Sequence, residues 1–128
     1  MDSPEARDLV YRTGMAESGY RQLEQVKGPA LGFWQVEPAT IKDTVYNYVK
    51  FRQPLMDKLM KRGLILDDLN NSVLSSLYLQ IAFCRLKYRR DKHPIPHTLK
   101  DQADYWKRVY NSEGGKGTPE HFIEANIV

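Results

Sequence analysis

The sequence predicts a mainly α domain, and three observations predict it. Helix-start signatures recur: Ser3-Pro4-Glu5, Pro38, Pro54 and Thr118-Pro119-Glu120. Proline is tolerated at a first helical position because the N–H it lacks has no intrahelical partner there. Behind these starts, apolar residues return three and four positions apart. The stretch from Val73 to Leu86 is apolar nearly all round, as in a helix surrounded by others.

The first helix is expected over Pro4–Ser18, with Ser3 as cap and Glu5 facing the positive helix end. Ala6, Leu9, Val10 and Thr13 give its inner face, and Gly19 ends it. Residues 19–36 have no sustained helical period and read as an ordered loop with a short hairpin. Pro38 opens a helix with Ile41, Val45, Tyr48 and Val49 on one face. Pro54 opens a short one, marked by Leu55, Met56, Leu59 and Met60 and ending at Gly63. Asn70 or Asn71 is expected to cap one long helix reaching Arg90, the central element of the core. After Pro94 and Pro96, Thr98 caps a helix with Leu99, Ala103, Trp106 and Tyr110 in register. Glycines 114, 115 and 117 then make a turn before the last helix.

A chain of 128 residues and 14.9 kDa suits one domain, residues 1–128, with a real hydrophobic core. Hydrophobic residues at 41% and charged residues at 27% exclude a disordered tail. One cysteine excludes an internal disulfide framework, and no Cys/His cluster suggests structural zinc. No apolar run approaches the ~20 residues of a membrane span. Met1–Glu5 is polar and acidic, without the apolar segment of a signal peptide, so a role outside the cytoplasm is expected to need another export route. A net charge of +3 favours an anionic partner without choosing among nucleic acid, membrane surface and cell-wall polymer.

The chemistry centres on Glu17. Ala6, Val10, Thr13 and Glu17 follow one another at intervals of four, three and four, so a carboxylate ends the inward stripe of the first helix. Apolar surroundings and a negative helix end both disfavour the charged form. A carboxylic acid kept protonated near neutrality is what protonating a glycosidic oxygen requires. A frayed helix end with Glu17 turned to water fits the same spacing.

Further segments bear on that choice. Glu17-Ser18-Gly19-Tyr20 is followed by Leu31-Gly32-Phe33-Trp34-Gln35-Val36-Glu37-Pro38-Ala39-Thr40, and later by Ala103–Asn111 with Gly114, Gly115 and Gly117. In this order the segments resemble the soluble lytic transglycosylases and goose-type lysozymes, over about residues 6–117. In that family a catalytic glutamate ends a helix in a Glu-Ser-Gly-aromatic stretch. A Gly-Leu-Met-Gln-hydrophobic-x-Pro-x-Thr segment lines the saccharide cleft, and an Ala-Tyr-Asn-Ala-Gly-x-Gly region follows. Here Phe33-Trp34 replaces Leu-Met, and Ser112-Glu113 stands where Ala is usual.

The resemblance implies a lysozyme-like fold, with a central hydrophobic helix and a loop or small hairpin lining a saccharide cleft. It implies cleavage of the β-1,4 bond between N-acetylmuramic acid and N-acetylglucosamine in peptidoglycan, with Glu17 as general acid. Ser18 would steady the acid or an acetamido group, and Gln35 would hydrogen-bond sugar. Tyr110 would hold the Glu17 carboxyl, with Asn111 supporting that corner, and Trp34 would stack on sugar or lie in the core. Glu24 and Glu37 are the acids of the loop region that could face the cleft. Glu37 reads as a helix-start residue and Glu24 has no assigned role, so one committed acid favours a lytic transglycosylase over a hydrolase. Phe33 and Tyr20 read as core before they read as sugar platforms, and Trp106 as core.

Other signals are set aside. Pro94 and Pro96 forbid the helix that a His93–His97 metal pair needs, so no metal and no cofactor are expected. Gly114-Gly115-Lys116-Gly117-Thr118 lacks the order of a phosphate loop. Cys84 reads as an inert core residue. The run Arg85, Lys87, Arg89, Arg90 and Lys92 reads as a solvated helix end suited to the helix dipole, and no nucleic-acid motif accompanies it. The expected partner is therefore the peptidoglycan glycan strand, with other virion proteins a further option. The resemblance and the missing leader point to a bacteriophage protein, in the virion or in the host cytoplasm before delivery to the wall. The rival reading is a glycan-binding or virion module of the same fold that does not cut.

Overall fold

Ser3 starts the chain's first helix as its residue type demands: its hydroxyl accepts the Ala6 N–H at 3.1 Å, with Pro4 at the first helical position. The computed structural model describes residues 3–21, 30–111 and 115–127. Among them run seven α-helices: α1 (Pro4–Glu17), α2 (Pro38–Asn47), α3 (Gln53–Lys61), α4 (Leu69–Leu74), α5 (Leu77–Arg89), α6 (Leu99–Tyr105) and α7 (Pro119–Ala125). Single 3₁₀ turns, Val49–Phe51 and Leu66–Asp68, precede α3 and α4. A π-helical turn, Trp106–Asn111, continues α6. The mainly α class holds. The described part of the 19–36 loop contains one antiparallel bridge, Leu31 to Val36, closing a turn over Gly32–Gln35.

Two expectations are corrected. The single helix from Asn70 or Asn71 to Arg90 is two helices, α4 and α5, because Ser75 and Ser76 interrupt it. Ser76 adopts an extended backbone and its side chain accepts the Leu79 N–H at 3.1 Å, so it caps a new helix. Nor is α5 enclosed all round. It packs on α1, α2, α4 and the π turn and buries Leu79, Phe83, Cys84, Leu86 and Tyr88. Its opposite face leaves Leu77, Tyr78 and Ile81 at 54%, 37% and 40% exposure.

The core joins α5 to every other layer, with Leu9 from α1, Ile41 and Val45 from α2, Leu59 from α3, Trp106 from the π turn and Phe122 from α7. One polar side chain sits inside it with a structural task. Gln80 Oε1 accepts the Phe33 N–H at 3.0 Å, which pins the Gly32–Gln35 turn onto α5. The approach demands glycine at 32: its φ is +77°, and a Cβ there would lie 2.9 Å from Gln80 Oε1.

Candidate active site

Glu17 closes α1, and the chain leaves the helix through two residues in left-handed conformation, Gly19 (φ 62°) and Tyr20 (φ 60°). Glycine adopts this readily; a tyrosine must be held there. Tyr20 is held at both ends: its N–H donates to Ser18 Oγ at 3.0 Å and its hydroxyl donates to the Tyr11 carbonyl at 2.7 Å. Its ring also meets Phe33 and Trp34 edge-on. Gln35, in the facing turn, is the second left-handed non-glycine residue among those described, at φ 52°. Strain of this kind thus occurs in the first two of the three segments that resemble the family.

The Glu17 carboxyl is held by a residue the sequence reading assigned to the core alone. Trp106 Nε1–H donates to Glu17 Oε2 at 2.9 Å. Trp106 is itself 1% exposed, packed against Phe122 and His121 of α7. Gly117 makes room for it, since a Cβ there would come within 2.4 Å of the indole ring. The α7 helix is braced to the same corner by His121 Nε2 on the Ala16 carbonyl at 2.8 Å and by Asn126 Nδ2 on the Arg12 carbonyl at 3.1 Å.

Burial dominates the electrostatics and pushes the Glu17 carboxyl up to about 7. The Trp106 hydrogen bond and the charges of Lys87 and His121 oppose that rise and are outweighed. Lys87 leaves the expected solvated face of its helix and turns inward. Its ammonium donates to the Tyr110 carbonyl at 2.7 Å and lies 4.2 Å from the centre of the Tyr110 ring, and burial lowers its pKa. Near neutrality the site therefore pairs a carboxyl that is about half protonated with a neighbouring cation. An indole nitrogen can only donate. It accordingly selects Oε2 as acceptor and leaves the acid proton to Oε1.

The other expected site residues are brought close, but with different tasks. Ser18 Oγ donates to the Phe33 carbonyl at 2.6 Å, tying the end of α1 to the Gly32–Gln35 turn. Tyr110 does not hold the carboxyl: its hydroxyl donates to the Trp34 carbonyl at 2.6 Å, and its buried ring stacks on Tyr88. Asn111 Oδ1 accepts from Lys107 Nζ at 2.9 Å, and the Gln35 amide donates to the Gly32 carbonyl at 2.9 Å. Trp34 is 4% exposed, with its N–H spent on the Val10 carbonyl at 2.7 Å, so it is a core residue and not a sugar platform. Phe33 and Tyr20 are half-buried against that core. Glu37 starts α2 without making a side-chain cap bond, and Glu24 lies outside the described residues.

The remaining signals are placed as well. His93 meets Asp91 and His97 meets Glu5, on separate carboxylates, and no metal-binding group of side chains occurs among the described residues. Arg90 pairs with Asp43, and Cys84 is fully buried. Gly115 and Gly117 both pack against Asn111, while Gly114 lies outside the described residues. A cavity of about 650 Å³ opens on the exposed face of α5; of the expected site residues it is lined by Trp34 alone.

No helix among the described residues is long and apolar enough to cross a membrane. Compared with protein-family models, with curated proteins and with solved structures, the chain matches none.

Proposed function

We propose that this chain cleaves the β-1,4 bond between N-acetylmuramic acid and N-acetylglucosamine in peptidoglycan as a lytic transglycosylase, with Glu17 as its acid and then its base. One observation carries the reading: a half-buried helix-end carboxyl raised to about 7, gripped through one oxygen by the Trp106 indole. A general acid works best with a pKa near the operating pH, and here burial supplies it.

The protonated Glu17 gives its Oε1 proton to the glycosidic oxygen, and the bond from that oxygen to the muramyl anomeric carbon breaks. The resulting carboxylate is stabilised by the Trp106 N–H and by the charges of Lys87 and His121, the groups that already oppose its protonation. It next takes the proton of the muramyl 6-hydroxyl as that oxygen closes onto the anomeric carbon. The product is a 1,6-anhydro ring, no water is consumed, and Glu17 ends protonated as it began. Peptidoglycan is then the partner.

Mass spectrometry of the soluble products released from purified wall sacculi by the wild type and by Glu17→Gln tests the proposal. Anhydro-muropeptides from the wild type, reduced about 10²- to 10⁴-fold in the variant, are expected. Reducing muramyl ends would make the enzyme a hydrolase with a second carboxylate. No product from either protein, with wall binding intact, would favour the non-cutting module.

A further inference from the structure

The cavity on the outer face of α5 lies among three helices, with Tyr20 and Trp34 completing its lining. Tyr78, Ile81, Ala82 and Arg85 of α5 form the floor at helical spacing, α1 supplies one wall and α3 the other. Its volume of about 650 Å³ falls in the range of roughly 300–1,000 Å³ typical of small-ligand sites. Val10, Leu55 and Leu59 extend the apolar lining across both walls. A sugar would find few hydrogen-bonding partners on such a surface.

Among the described residues that line this cavity the charged side chains are all cations: Arg7 from α1, Lys58 from α3 and Arg85 from α5. Among the described residues no carboxylate pairs with Lys58 or Arg85. Arg85 Nε is buried and has no hydrogen-bond partner, an orphaned donor of the kind that costs free energy unless an acceptor arrives. Arg62 lies over the ring of Tyr78, one of the lining residues, at 4.4 Å.

We infer that this cavity binds a monomeric amphiphile with an anionic head, of the fatty-carboxylate class: its chain would lie along Ile81, Ala82, Leu55 and Leu59, and its carboxylate would meet Arg85 and Lys58. The inference does not depend on the proposed glycosidase activity, because Glu17 does not line the cavity. The apolar floor supplies affinity in proportion to the chain buried, and the cations supply the selection by charge.

The test compares three probes with the same twelve-carbon chain, all below their micellar concentrations: dodecanoate, dodecyl maltoside and dodecyltrimethylammonium. Calorimetric titration of the full chain should give one dodecanoate site, about tenfold tighter than the maltoside, with the ammonium probe weaker still. Lys58→Gln with Arg85→Gln should bring dodecanoate down to the maltoside's affinity, and Ala82→Phe should abolish binding of all three. Methyl NMR shifts on the wild type, confined to the lining methyls of Ala6, Val10, Leu55, Leu59, Ile81, Ala82 and Leu86, locate the site without relying on a variant that could misfold. Equal affinity for the charged and neutral probes overturns the proposal. So do shifts elsewhere, or binding only to anionic lipid vesicles and not to the monomer, which would indicate a membrane-facing surface instead.

Discussion

A carboxyl that holds its proton up to about pH 7 in the folded chain must make stability depend on pH, and the size of that dependence follows from the structure. Unfolded, Glu17 has its ordinary value of 4.5; folded, burial raises it to about 7. Each tenfold in a proton equilibrium is worth about 1.4 kcal/mol, so the difference corresponds to about 3 kcal/mol. The folded chain binds this proton more tightly than the unfolded chain, and protonation therefore favours folding. The contribution is fully present below pH 4.5 and is lost as pH rises through about 7. Between pH 5 and 8 the loss is about 2.5 kcal/mol. Glu17→Gln keeps the shape and can still accept the Trp106 N–H, but it has no proton to lose. Urea unfolding of both proteins at pH 5, 6, 7 and 8 measures the effect. The variant should gain on the wild type by about 2.5 kcal/mol across the series. Parallel pH profiles would refute the reasoning, since Glu17 would then titrate alike in both states.

Three further substitutions test separate parts of the argument. Trp106→Phe removes a hydrogen bond that favours the charged carboxyl, so the Glu17 pKa should rise further above its ordinary value; carboxyl ¹³C NMR reads this, and an unchanged value would remove Trp106 from the site. Ser76→Ala deletes the cap that starts α5 and should cost about 1 kcal/mol in thermal or urea unfolding. Gly14→Ala puts a Cβ 2.3 Å from the Tyr20 hydroxyl, which is locked onto Tyr11. Overpacking of about 1–3 kcal/mol should outweigh the roughly 1 kcal/mol alanine gains in a helix. In a Tyr20→Leu background the same change should instead stabilise.

Much of the helical framework was readable because it is written in local chemistry. Ser3, Thr98 and Thr118 each cap the helix that follows them, with the side-chain oxygen on the expected backbone N–H. Ser76 does the same, but apolar residues on both sides of it, from Val73 to Leu86, mask it, and hydrophobicity alone cannot show a helix stopping and restarting. Glu17 was found because its place on the stripe is a matter of spacing. Its actual partner was not: the spacing turns Trp106 inward, but only the packing of α6 on α7 and of α7 on α1 brings the indole to the end of the first helix. The inward turn of Lys87 was equally invisible: only the tertiary position of the Tyr110 carbonyl distinguishes it from Arg89 and Arg90 beside it. For Tyr110 and Trp34 the sequence indicated the neighbourhood but not the bond, a hydroxyl on a backbone carbonyl that positions the turn and not the acid.

The indole hydrogen bond to Glu17 also makes a chemical event visible to light. When the carboxyl loses its proton, a full negative charge appears 2.9 Å from the ring nitrogen of Trp106. An excited indole redistributes its electrons between its two rings, so a charge so close on one side shifts the energy of its emission. Trp34, whose N–H rests on a backbone carbonyl that does not titrate, supplies a constant background. The protein thus carries its own dye at the residue whose ionisation matters most.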